Sequence, residues 1–223
     1  MRITLDGVRV DGRRDPLLTE LDLVWSTREA VLVAAEPGHG HTALALVATG
    51  RLAPTAGRVW LDGEQDAAAL RRCTAVVDVP AINEPDDTQP LGDVVGEGLA
   101  LAGRRSWPGD VTRWLSEHAL AGDQSRRTDQ LPGLVRTTVL AALAAANPAV
   151  RFLVLTLPDR HGGDAADWWG IARTFAAAGH GVLVQCTRAS ARDLGVDLPP
   201  ARGVDPHSPP QVVLRSTSGL AAS

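Results

Sequence analysis

The sequence predicts an α/β fold in which a mostly parallel sheet carries helices on its faces. Two observations predict it. Three apolar runs of strand length, "AVLVAA" (30–35), "RFLVLTL" (151–157) and "GVLVQC" (181–186), are continuous rather than alternating, as in strands buried on both faces. Helical stretches separate them, which is the pattern of parallel strands joined by crossover helices.

Taken in order, residues 3–10 and 20–26 read as strands around the turn-rich "DGRRDP". After the run at 30–35, residues 42–49 read as a helix stopped by Gly50. "GRVWLDGE" (57–64) reads as a short strand closed by Asp62-Gly63, a hairpin-turn pair. "TAVVDV" (74–79) is another strand, stopped by Pro80. From 81 to 130 the chain is more hydrophilic, with helical segments near 91–102 and 110–120, like a helical insert on a sheet-based body. "LVRTTVLAALAAAN" reads as a helix ended by Asn147-Pro148, and "AADWWGIARTFAAAG" as a helix with Gly179 at its C-cap. Beyond about 195 the chain is rich in Pro, Gly and Ser, with one strand, "QVVLRS".

Composition narrows the function. The 223 residues are 44% apolar, enough for a sizeable core, and are expected to form one domain over 1–223. A net charge of -4 offers no footprint for nucleic acid. No apolar run reaches the roughly 18 residues of a membrane span, and the N-terminus lacks the apolar centre of a signal peptide. Cytoplasmic placement without direct membrane insertion is therefore expected. The two cysteines, Cys73 and Cys186, sit in apolar, strand-like runs and read as free buried thiols. All 22 basic residues are arginine, and tyrosine is absent, so no mechanism can draw a lysine or a tyrosine from this chain.

The stretch "AAEPGHGHTAL" joins an apolar strand to an apolar helix. Glycines there let the backbone curl so that its N–H groups converge, and the helix N-terminus adds partial positive charge; together these hold phosphate. Against the phosphate-loop pattern G-x-x-x-x-G-K-[ST], Gly40 and Thr42 match, Ala35 replaces the first glycine and His41 replaces the lysine. Histidine is shorter than lysine and mostly neutral at pH 7. The same residues also suit a plain strand-to-helix turn with exposed histidines. His39 and His41 as a metal pair lack a third ligand.

The next stretch is more specific. In "RLAPTAGRVWLDGE" (51–64), Pro54, Thr55, Gly57, Val59, Leu61, Asp62 and Gly63 match P-T-x-G-x-V-x-L-D-G, and here the chain resembles the ATP-binding subunit of ABC transporters, the ATP-binding cassette family. The likeness runs over nearly the whole chain. Leu131 and Gly133 match the signature L-S-G-G-Q, Arg136, Val139, Ala142 and Ala144 fall in the helix after it, and Pro158 matches the proline after the Walker B acids. The resemblance implies a P-loop core with a mostly parallel sheet, an N-terminal antiparallel β region and a helical subdomain over about 81–135. It implies Gly38, His39, Gly40, His41, Thr42 and Ala43 as the nucleotide-binding residues, with Thr42 also on magnesium.

The departures fall on the chemistry. The Walker B aspartate is Thr156, the catalytic glutamate Leu157, the switch histidine Thr187, and the glutamine after strand 74–79 falls near Ala81. The signature serine is Pro132 and its second glycine Leu134; the adenine-stacking aromatic expected near Val10 or Asp11 is absent. Asp159 and Asp78 lie nearby but read as a turn residue and a strand-end residue, and Gly162, Gly163 and Asp164 as a turn and helix N-cap. Loss of metal ligand, base, lysine and switch together predicts no catalytic residue, hydrolysis absent or very weak, and at most weak binding of ATP with magnesium. The expected role is a non-hydrolysing partner or regulator. It would bind a membrane permease subunit, a second cassette as hetero- or homodimer, or both, and so lie peripherally at the inner face of the membrane. Two alternatives stay open: an atypical ATPase using His41 as the cation with Asp159 or Asp78 on the metal, and a binding scaffold unrelated to transport.

Overall fold

The computed structural model describes residues 1–36, 38–198 and 210–217. The chain runs β1 (Arg2–Val10), β2 (Leu18–Ser26), β3 (Glu29–Ala35), α1 (His39–Ala48), β4 (Ala56–Leu61), α2 (Ala67–Cys73), β5 (Thr74–Val77), α3 (Leu91–Leu101) and α4 (Pro108–Glu117). It continues through α5 (Gly133–Ala145), β6 (Phe152–Thr156), α6 (Ala165–Ala177), β7 (Gly181–Thr187), α7 (Arg188–Asp193) and β8 (Gln211–Thr217), with 3-10 turns at Thr128–Gln130 and Pro158–His161.

A three-stranded antiparallel sheet, β2-β1-β4, packs beside a five-stranded sheet, β5-β6-β7-β3-β8. In the larger sheet β5, β6, β7 and β3 are mutually parallel and β8 pairs antiparallel with β3. The expected α/β class, its mostly parallel sheet and its N-terminal antiparallel region are all present. The period-2 alternation of a strand sorts the continuous apolar runs between two cores. Val31, Val33, Val154 and Leu183 face α1 and the smaller sheet; Leu32, Ala34, Leu155 and Val184 face α6. Helix α1 lies between the two sheets, with Leu44, Ala45, Val47 and Ala48 all buried. This explains its apolar character on most sides.

The helical region has a core of its own. Leu91, Val95 and Leu99 recur at helical spacing on α3 and meet Val111 and Leu115 of α4 and Val139 and Leu143 of α5. Helix α5 therefore serves both bodies, because its Ala141 is buried against the sheet side.

Several expectations are corrected. Asp62 and Gly63 form the predicted turn, both with positive φ (51° and 89°), but only a single bridge joins Leu61 to Glu64 and no second strand follows. The chain instead enters α2, whose start is fixed by the Asp66 carboxylate accepting from the N–H groups of Ala68 (2.8 Å) and Ala69 (2.9 Å). Cys73 ends that helix rather than lying in a strand; it and Cys186 are free and buried. Asp164 occupies the N-cap of α6 without making a side-chain cap bond. The C-terminal segment beyond 195 is described only at 195–198 and 210–217, where "QVVLRS" forms β8; the rest lies outside the described residues. Gly57 of the matched motif is explained by geometry: its φ is +79° and a Cβ there would stand 2.2 Å from the carbonyl oxygen of Gly7.

Candidate functional site

The loop after β3 reaches α1 at Gly38, and Gly38, His39 and Gly40 line a hollow of about 440 Å³. The opposite wall is the 12–19 loop, which brings Arg13 and Arg14 to the rim and contributes no aromatic ring. Helix α1 has no acidic residue in its first turn and no side chain on its leading N–H groups, so its positive end stays available to an anion. Glu36 also lines the hollow and opposes an anion. Its carboxylate stands 3.6 Å from Nε of Arg188, a residue only 8% exposed at the start of α7.

The expected site residues divide. Gly38, His39 and Gly40 face the hollow. Thr42 is half-buried and outside the lining, and Ala43 is buried in the core. His41 departs most from expectation. It is neither an exposed histidine nor a cation reaching toward phosphate, being 1% exposed beneath the helix. Burial lowers its pKa below the ordinary histidine value, and Gln185, Asp159 and the backbone of Ala35 and Glu36 pull the other way without overcoming it. The imidazole is thus neutral at pH 7. Its Nε2 closes no hydrogen bond, nor does either end of the nearby Gln185 amide.

Below His41 lie the ends of β6 and β7. Thr156 and Gln185 are register partners, two residues beyond Val154 and Leu183, and so share the face toward α1. Both are buried and both are neutral. The carboxylate of the following turn, Asp159, is engaged through one oxygen, and its Oδ1 is buried without a hydrogen bond. Its Oδ2 accepts from the Thr187 N–H (2.9 Å), the Thr187 hydroxyl (2.8 Å) and the Ser190 hydroxyl (2.7 Å). Asp78, the other acid considered as a metal ligand, is held by Arg136, Arg160 and His161. Among the described residues no group of three or more His, Cys, Asp or Glu converges as a metal site.

The residues present therefore fit a phosphate-bearing ligand at the helix terminus and do not fit a magnesium ion. Facing the loop, the strand ends offer a hydroxyl and an amide where a hard divalent cation takes carboxylate oxygens. The Asp78 cluster and the Asp159–Thr187–Ser190 set carry no signal in the sequence, since their partners lie 28 to 83 residues apart. Arg13 and Arg14 were legible only as part of a turn-rich loop.

Comparison with known proteins agrees with this architecture. No protein-family model matches the chain. It is 31% identical over 147 residues to the taurine import ATP-binding protein TauB of Pseudomonas fluorescens Pf-5 and likewise to TauB of Pseudomonas entomophila L48. The matched region covers 62% of this chain, and 53% and 54% of those relatives, so the chain spans about half the length of the curated relatives it matches. Solved structures similar to it include a nucleotide-free ATP-binding cassette from an ABC transporter (TM-score 0.60, 17% identity, covering 84% of this chain and 82% of that one). An ATP-binding cassette of an ABC transporter in its ADP conformation gives 0.61 at 15% identity, over 84% and 82%. The chain thus has the fold of an ATP-binding cassette and is related in sequence, over 62% of its length, to ATP-binding proteins of a transport system.

Proposed function

We propose that this chain is a non-hydrolysing ATP-binding cassette that acts as a partner or regulator of a membrane permease or of an intact cassette. One observation carries the proposal: the strand ends below the phosphate-type loop present Thr156 and Gln185, the loop's own helix presents a neutral, buried His41, and the carboxylate of the turn after β6, Asp159, gives Oδ2 to bonds with Thr187 and Ser190. Phosphoryl transfer depends on charge neutralisation by a metal and on an oriented water. Neither Thr156 nor Gln185 can hold a metal by charge, and His41 is kept from acting as the cation by the burial that keeps it neutral. The helix terminus at Gly38 to Gly40 remains able to hold phosphate weakly, with Thr42 and Ala43 supporting the loop from behind. ATP is the ligand proposed for it, without magnesium-dependent cleavage.

The relatives' names support a transport setting, and a second hollow suits a partner. A groove of about 700 Å³ runs between the β5 edge and α3, with exposed Ile82 and Leu101 beside it. We assign this groove to a segment of the permease. No described helix is long and apolar enough to cross a membrane, so membrane attachment would come through that partner.

The test is titration of the purified chain with ATP, with and without magnesium, by calorimetry, together with a phosphate-release assay and the same measurements on His41→Lys. Weak, magnesium-independent binding without turnover is expected. Steady phosphate release by the unaltered chain refutes the proposal, as does failure to recover any permease or second cassette with the chain from its own cells.

A further inference from the structure

The two most exposed large apolar side chains among the described residues stand six positions apart on one turn. Leu101, the last residue of α3, is 78% exposed, and Trp107, at the N-cap of α4, is 71% exposed. Gly103, at φ +68°, reverses the chain between them, its N–H and that of Arg104 donating to the carbonyls of Ala100 and Leu99. Both side chains therefore sit at the tip of the α3–α4 hairpin. The other large apolar residues nearby turn inward, with Val95, Leu99, Val111 and Leu115 all buried in the helical core. Two residues on from Leu99 the helix has turned by more than half a revolution, so Leu101 faces away from that core. The chain's other five tryptophans are buried or half-buried.

Charge is concentrated at the same tip. Arg104 and Arg105 lie between Leu101 and Trp107, both exposed, and Arg113 follows on α4. The Arg105 side chain is 84% exposed, and its Nε stands 3.9 Å from Asp110, which also meets Nη1 of Arg113 at 3.5 Å. Asp110 is the one acid within residues 101–115, so three arginines there answer to a single carboxylate, in a chain whose net charge is -4.

An indole and a leucine with arginines between them match the edge of a bilayer. Indole rings settle at the headgroup level, aliphatic side chains enter just beneath it, and arginines meet the negative surface of anionic lipids. A protruding turn offers no pocket to a partner's side chain, whereas a fluid headgroup layer closes around it. Leu101 also lines the groove assigned above to the permease, which turns this tip toward the membrane; that placement rests on the proposed function. We propose that the α3–α4 turn is a lipid-contact site, where Trp107 and Leu101 enter the headgroup layer of an anionic membrane and Arg104 and Arg105 pair with lipid phosphates. The chain lies on that surface and spans nothing, and the contact adds to the hold supplied by the permease.

The experiment uses the full chain with vesicles of phosphatidylcholine alone and of equal parts phosphatidylcholine and phosphatidylglycerol. Flotation measures binding, and brominated lipid measures quenching of tryptophan fluorescence. Each arginine beside an anionic surface contributes about 1 kcal/mol, so the mixed vesicles should bind roughly twentyfold more tightly, and about 0.5 M salt should erase most of that preference. Arg104→Gln with Arg105→Gln should lose the preference. Arg104→Lys with Arg105→Lys should keep it, because a fluid surface reads charge rather than the geometry of a guanidinium fork. Leu101→Ser with Trp107→Ser should lose the quenching. All four positions are exposed, so these variants should fold and titrate with ATP as the parent does. A parent that binds lipid and not ATP would thus count against the proposed function and leave the lipid contact standing. Equal binding to both vesicles, binding by neither, or quenching that survives Trp107→Ser overturns the proposal. So does a Trp107-dependent dimer in lipid-free sedimentation, which would give the tip to a second copy of the chain.

Discussion

Thr187 donates both its backbone N–H (2.9 Å) and its hydroxyl (2.8 Å) to a single oxygen of Asp159. The Ser190 hydroxyl joins them at 2.7 Å. One carboxylate thereby ties the turn after β6 to the junction of β7 and α7. Its role is to close the C-terminal edge of the sheet.

Replacing Asp159 with Ala removes the acceptor for three donors at that junction. A charged-group hydrogen bond contributes about 1.5–3 kcal/mol, and a stranded donor adds a cost of similar size, so a loss of roughly 2–4 kcal/mol is expected. Urea denaturation should report it as a lower midpoint, with phosphate release unchanged from the parent's background. A variant as stable as the parent would show that the three bonds contribute nothing.

His41 makes stability depend on pH on the acid side of neutrality. Its folded-state pKa lies below the unfolded value because burial disfavours the charged ring. Below about pH 6.5 the unfolded chain takes up a proton that the folded chain refuses, so stability falls as pH drops through that range. His180, also lowered by burial, adds to the slope. His41→Gln should flatten the pH 5 to 7 limb of the melting-temperature profile without abolishing it. An unchanged limb would place His41 in solvent.

Asp78 acts in a lower window. Burial pushes its pKa up, but the hydrogen bonds from His161 and Arg136 and the charges of Arg160 and Arg136 outweigh that and bring it down to about 2. Its stabilisation is complete above the unfolded value near 3.8 and disappears as pH falls toward 2. The shift corresponds to roughly 2 kcal/mol. Acid unfolding of Asp78→Asn should lack this component between pH 4 and 2, while Glu84→Gln should retain most of it.

Glu36 and the two rim arginines should set anion affinity with opposite signs. One unit charge about 4 Å from a bound phosphate, screened as in bulk water, contributes about 1 kcal/mol and changes affinity by roughly fivefold. Glu36→Gln should therefore tighten binding of tripolyphosphate, and Arg13→Ala with Arg14→Ala should loosen it, both less so at 0.5 M salt. Calorimetry with tripolyphosphate checks the pair. Equal affinities throughout would move the anion away from the hollow at Gly38.

Much of the architecture was legible from local pattern. Continuous apolar runs at 30–35, 151–157 and 181–186 can satisfy their backbones and bury both faces only in the middle of a sheet, and all three are there. The Pro54 to Gly63 motif and the glycines after β3 placed the loop and the helix that follows. The absence of lysine, and the Thr, Leu and Thr at positions 156, 157 and 187, were visible as letters. Where each surviving polar group points was not. His41 occupies a helix position whose burial depends on the smaller sheet lying across α1, an arrangement that no spacing within residues 35–44 encodes. Asp159 and Asp78 looked alike in sequence, each beside a proline-marked turn. The first pairs 28 and 31 residues away and the second 58, 82 and 83, and only the close approach of β5, β6, β7 and α5 brings those partners within reach. Sequence determined the strands and the longer helices, because these rest on periodicity and residue identity. Tertiary structure alone decided which remaining charges neutralise one another, because electrostatic interaction depends on distance through space and on burial, and neither is a property of order along the chain.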